Sequence, residues 1–202
     1  IARQMQIDAD DGETFVEAIE AIPNNQGFRV THKSAGEKKL TEVDKIIANV
    51  GKMLERVLGE HITLETRCGT GLPAIEADAS QLRQIIMNLV LNASEAIGEE
   101  NTGTIRITAS VVTLPRTDAG DSRPVAELAA GDYICMEVAD TGSGMPPDVL
   151  ARIFDPFFTT KGIGEGTGMG LDIVRRVLQR HGGNISVDSE PGRTCFLVCF
   201  PL

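Results

Sequence analysis

The chain has 202 residues, a length that suits one domain with an appendage. Hydrophobic residues make up 42%, enough for a packed core. The formal net charge of -10 leaves no basic face for a polyanion and sets nucleic-acid binding aside.

No apolar run approaches the length of a membrane span and no signal peptide stands at the start, so this segment is expected to make no direct membrane contact and to work in the cytoplasm. The chain opens on Ile1, which reads as a piece of a longer protein, one that leaves room for a membrane anchor elsewhere. Residues 1–40 form a poorly defined N-terminal segment or linker. FVEAIEAI (15–22) is short-helix material, and THKSAGEKK (31–39) is polar. A continuous domain is expected over 41–202.

From Thr41 the pattern sharpens. Val43, Ile46, Ile47, Val50, Leu54, Val57 and Leu58 recur at helical spacing, with Thr41 and Asp44 suiting the start and Gly59 the stop. ITLETRC (62–68) alternates as a strand. A second helix is predicted from about Ser80 to Ile97. Wound at about 100° per residue, it gathers Leu82, Ile85, Ile86, Leu89, Val90 and Ala93 on one face and Gln81, Gln84, Asn88, Asn92 and Glu95 on another. Asn is a mediocre helix former. Two of them one turn apart mark either a wet face or a specific polar partner, and their amide oxygens are hard ligands that suit Mg²⁺.

Strands follow at 104–112 and 132–140, separated by a loop over 115–131. Asp140 ends the second strand and opens the turn DTGSGM, in which Gly142 and Gly144 permit positive φ or close approach of a ligand. PDVLARIF (147–154) reads as a short helix with proline in its first turn. GEGTGMG (164–170) leads into LDIVRRVLQRH (171–181), a last helix stopped by Gly182 and Gly183. A helix start carries unpaired N–H groups and partial positive charge, so a glycine-rich entry suits phosphate. It is no P-loop, since no Gly-Lys-Ser/Thr follows. Two strands, NISVDSE and TCFLVCF, flank a Pro191-Gly192 turn. The mixture without a strict βαβ repeat predicts an α+β fold, a two-layer sandwich with about three helices on one face of a mixed sheet.

The four cysteines, Cys68, Cys135, Cys195 and Cys199, form no CxxC pair. They read as small buried hydrophobes in a reducing cytosol. The three histidines, His32, His61 and His181, read as structural or exposed.

Taken in order, NLVLNASEA (88–96), DTGSGM (140–145), FDPFFTTK (154–161) and GEGTGMGLDIV (164–174) resemble the N, G1, F and G2 boxes of the ATP-binding catalytic domain of sensor histidine kinases, part of the Bergerat-type ATPase superfamily shared with gyrase B, Hsp90 and MutL. The resemblance implies ATP and Mg²⁺ as cofactors, with Asn92 holding the metal and Asn88 contacting the nucleotide. It implies that Asp140 takes the adenine amine in a pocket shaped by Gly142, Gly144 and Met145. Residues from about 146 to 167 would be a mobile lid, anchored by Phe154, Phe157 and Phe158. Lys161 would reach the γ-phosphate, acting with Asn88 as the catalytic pair, and Gly166, Thr167, Gly168, Met169, Gly170 and Leu171 would wrap the phosphates.

The departures are informative. Relatives that hydrolyse ATP carry a Glu base where this chain has Asn88, which fits phosphoryl transfer to a protein histidine better than hydrolysis. Glu95 stands where many histidine kinases place Lys, and that shifts interest to Lys161. The usual Gly-x-Gly-Thr is shortened to Gly192-Arg193-Thr194, with Thr194 the residue carried over to the site. No histidine resembles a phosphoacceptor, so the implied partners are a histidine-containing dimerisation domain and a response regulator receiver domain. An ATP-binding regulatory module without phosphotransfer is the alternative.

Overall fold

The computed structural model describes residues 39–114, 128–160 and 168–202. Expectations for 1–38, for most of the 115–131 loop, and for Lys161, Gly166 and Thr167 fall outside that range.

The elements run β1 (Lys39–Thr41), α1 (Val43–Val57), β2 (Ile62–Cys68), β3 (Ile75–Ala77), α2 (Ala79–Ile97), β4 (Gly103–Leu114), β5 (Gly131–Asp140), α3 (Pro147–Leu150), α4 (Gly170–Arg180), β6 (Asn184–Glu190) and β7 (Arg193–Pro201). Five strands form one sheet in the order β2-β4-β5-β7-β6, while β1 and β3 pair separately. β2 runs parallel to β4 and the other neighbours are antiparallel, which makes the sheet mixed, as expected.

Strand alternation decides what each face carries. Ile105 and Ile107 of β4, Ile134, Met136 and Val138 of β5, and Phe196, Val198 and Phe200 of β7 are buried in one core. The apolar faces of α1 (Val43, Ile46, Ile47, Val50, Leu54) and α2 (Leu82, Ile85, Ile86, Leu89, Val90) complete that core. Each such side chain contributes about 1.5–3 kcal/mol on burial, so the two stripes hold the layers together. The same parity places Asp140 and Thr194 on the helix-covered face: they are register partners at the edge of this core, 4% and 3% exposed.

Several local expectations are corrected. Thr41 lies in β1 and donates its hydroxyl to the Ala77 carbonyl at 2.8 Å, and α1 starts behind Glu42 without a side-chain cap. The helix expected over 147–154 stops at Leu150. Beyond it the chain continues in tight turns, with Asp155 N–H donating to the Arg152 carbonyl at 2.8 Å, and Pro156 disfavours helical backbone at the residue before it.

The cysteines also differ from the expectation. Cys135 and Cys199 are opposed across β5 and β7 and form a disulfide, packed with Tyr133 on the sheet face away from the helices. Cys68 and Cys195 are free. Parity along a single strand puts Cys195 and Cys199 on one face but says nothing of register, and register creates this pair.

Candidate functional site

Two helices and one strand end meet in the site. α2 begins where Asp78 caps it, its carboxylate accepting from Ser80 N–H at 2.8 Å. Its polar stripe brings Asn88 to the start of α4, where the Asn88 amide donates to the Gly170 carbonyl at 3.3 Å. That bond uses the Asn88 nitrogen. Asn92, one turn on, is half-buried, and Glu95 beyond it is exposed.

Met169 precedes the first turn of α4, and the first intrahelical bond comes from Ile173 N–H to the Met169 carbonyl at 2.9 Å. The N–H groups of Gly170, Leu171 and Asp172 are therefore the unpaired donors of the helix start. Asp172 is buried in this turn and pairs with Arg176, so its charge is met within the helix. Gly168 has φ +61, and a Cβ there would sit 2.4 Å from the Phe157 carbonyl carbon. Its own carbonyl accepts from Phe157 N–H at 3.0 Å. This backbone junction ties the two described ends of the segment that contains Lys161.

The phenylalanines divide their roles. Phe154 packs against the core, and Phe158 lies under the Arg152 guanidinium, 4.4 Å from ring centroid to Cζ. Phe157 is 74% exposed at φ 66, so its backbone, rather than its ring, makes the anchor.

At the other end of the site, Asp140 accepts from Gly142 N–H at 2.8 Å through one carboxylate oxygen. Burial raises its pKa above the usual carboxylate value, and the Gly142 N–H offsets part of that. A short network closes the wall beside it. Thr194 Oγ1 lies 2.9 Å from Ser189 Oγ, which accepts from Met145 N–H at 2.9 Å. Gly142 packs so tightly on α2 that a Cβ would fall 2.7 Å from the Ala96 carbonyl carbon. Gly144, at φ +72, would bring a Cβ to 2.2 Å from the Glu190 carbonyl oxygen. Both glycines are demanded by chain packed on chain, and the pocket shape follows from that.

Sequence reasoning missed Ser189. Its only signal was its place three residues before Gly192, across the turn from Thr194, and a serine there reads as an ordinary turn residue.

A two-layer fold with a buried carboxylate at one strand end, packed beside an asparagine-bearing helix that is hydrogen-bonded in turn to a glycine-led helix start, is the arrangement of an ATP-binding domain of the Bergerat kind. A family profile described as histidine kinase-, DNA gyrase B-, and HSP90-like ATPase matches residues 77–202, and the chain belongs to that family. It is 37% identical over 164 residues to the sensor kinase CckA of Brucella abortus (strain 2308), covering 81% of this chain and 17% of that protein. It is 34% identical over 166 residues to the sensory histidine kinase/phosphatase NtrB of Rhizobium meliloti (strain 1021), covering 79% and 42%. Among solved structures, the catalytic domain of histidine kinase ThkA superposes with a TM-score of 0.64 at 28% identity, over 82% of this chain and 96% of that one. The chain thus spans less than half the length of these two curated relatives. Among the described residues, no helix is long and apolar enough to cross a membrane.

Proposed function

We propose that this chain is the catalytic, ATP-binding part of a sensor histidine kinase and delivers the ATP γ-phosphoryl to a histidine on a dimerisation domain. The observation that carries the reading is the Asn88–Gly170 hydrogen bond, which joins the polar stripe of α2 to the free N–H groups of α4. The active unit spans about residues 41–202, with 1–40 serving as an N-terminal segment.

Asp140 accepts a hydrogen bond from the adenine amine, with Thr194, Met145, Gly142 and Gly144 forming the wall around the base. Asn88 orients the nucleotide, and the N–H groups at Gly168, Met169, Gly170 and Leu171 neutralise phosphate charge. Phe158, Glu95, Lys161, Gly166 and Thr167 border the triphosphate, with Lys161 on the γ-phosphate. The donor set suits Mg²⁺, since Asn92 offers one hard amide oxygen and phosphates supply the rest. Bound there, Mg²⁺ would draw charge from the β- and γ-phosphate oxygens. The chain's own contribution is positioning and charge stabilisation, since Asn88 cannot act as a base for water.

Among the described residues, His181 is buried and His61 stands in the turn before β2, so neither is offered as the acceptor. The histidine that receives the phosphoryl then lies on a dimerisation domain, and it passes the group to a response regulator receiver domain. We infer a cytoplasmic location from the use of ATP.

Titration calorimetry with Mg-ATP tests the site. Wild type should bind, and Asp140→Asn should bind about tenfold more weakly, the size of one hydrogen bond to a charged group. Unchanged affinity in Asp140→Asn would overturn the adenine assignment.

A further inference from the structure

α2 and α4 are joined at two points. One is the Asn88–Gly170 hydrogen bond. The other lies at the far end of α4 and the start of α2, where His181 caps the C-terminus of α4 beside Asp78, the N-cap of α2. Asp78 N–H donates to His181 Nε2 at 3.3 Å, and His181 Nδ1 lies 2.8 Å from the Val177 carbonyl. A carbonyl only accepts, so Nδ1 carries the proton and Nε2 presents its lone pair to Asp78. The ring is 7% exposed and meets Phe200 edge-on at 6.1 Å.

Asp78 to Asn88 along α2 is about 15 Å, and Gly170 to His181 along α4 is about 16.5 Å, at 1.5 Å per residue. Spans matched to within one residue between two fixed points hold one antiparallel helix against the other in a single register. A slip of α4 along its axis would carry Gly170 away from Asn88.

We propose that His181 is a positioning residue: acting through α4, it sets where the helix start meets Asn88 of α2. Its effect on nucleotide binding rests on the ATP reading above, while its effect on helix register does not.

Three variants of the chain separate this role from simple packing. His181→Phe keeps the ring and loses both hydrogen bonds. His181→Asn keeps a donor for the Val177 carbonyl and falls short of Asp78. His181→Gln places an acceptor where Nε2 stands. Amide NMR of the nucleotide-free protein reads the far end of the helix pair. The Gly170 amide and the Asn88 side-chain amide should shift in His181→Phe and His181→Asn and return toward wild type in His181→Gln. Mg-ATP affinity should fall about tenfold in the first two and stay within about threefold in the third, a tenfold change being about 1.4 kcal/mol. Unmoved Gly170 and Asn88 signals in a folded His181→Phe would overturn the proposal, as would a His181→Gln as displaced as His181→Phe. A wild type that binds no Mg-ATP would count against the ATP reading, and the NMR comparison would still decide the role of His181.

Discussion

Gly144→Ala isolates what the wall of the site demands. Two costs add. At φ +72 a side chain must adopt left-handed backbone, which costs roughly 1–2 kcal/mol for a residue other than glycine. The new Cβ would also meet the Glu190 carbonyl oxygen at 2.2 Å, the Glu190 carbonyl carbon at 2.6 Å and Pro191 N at 3.0 Å, all backbone. No side chain can swing away, so the β6–β7 turn must shift, and overpacking of this kind costs about 1–3 kcal/mol. The expected loss is therefore about 2–5 kcal/mol. Gly192→Ala is the control: its φ is +88 and a Cβ there meets nothing within 4 Å, so only the backbone cost of roughly 1–2 kcal/mol applies. Urea unfolding of the two variants measures the difference. Gly144→Ala should be at least about 1 kcal/mol less stable than Gly192→Ala, the lower end of the overpacking cost. It should also bind adenine nucleotide more weakly, because the shift breaks the 2.9 Å bond from Met145 N–H to Ser189. Equal stabilities would refute the reasoning.

Further outcomes follow from the same geometry. The folded-state pKa of Asp140 is raised, so the native state holds its proton more readily than the unfolded chain, and stability falls as pH rises through and above the ordinary carboxylate range. Asp140→Asn should flatten that fall and stabilise the nucleotide-free protein at neutral pH; an unchanged pH–stability profile by thermal unfolding would contradict it. Asn92→Ala should keep its fold, since the side chain is only half-buried, yet lose Mg-dependent phosphoryl transfer to a dimerisation domain supplied with it, and EDTA should mimic it in wild type. Retained transfer in either case would remove Asn92 from the metal site. Thiol titration of the unfolded, unreduced chain should find two thiols, Cys68 and Cys195, and four would rule out the Cys135–Cys199 bond.

Much of the fold was readable because long periodic segments carry their own signal. The two faces of α2, the alternation of β2 and the glycine-led start of α4 each follow from local spacing, and the structure keeps their bounds within a residue or two. What was hidden depends on partners distant in sequence. β1 and β3 have three residues each and exist because they pair with one another. The disulfide needs the β5–β7 register, and the role of Ser189 needs the turn that folds it against Met145. Gly142 and Gly144 were open between positive φ and close approach of a ligand; Gly144 takes the positive φ, and the contacts that exclude a Cβ at both come from Ala96 and Glu190, remote in sequence. His181 looked like an ordinary helix end until Asp78, remote in sequence, came within hydrogen-bond distance.

The kinase reading turns on where the γ-phosphoryl goes. The chain, mixed with γ-labelled Mg-ATP and a dimerisation domain carrying its phosphoacceptor histidine, should place acid-labile label on that domain, and none when the histidine is replaced. Binding of ATP with no label on the domain, or steady release of free phosphate that needs no protein acceptor, would contradict the assignment.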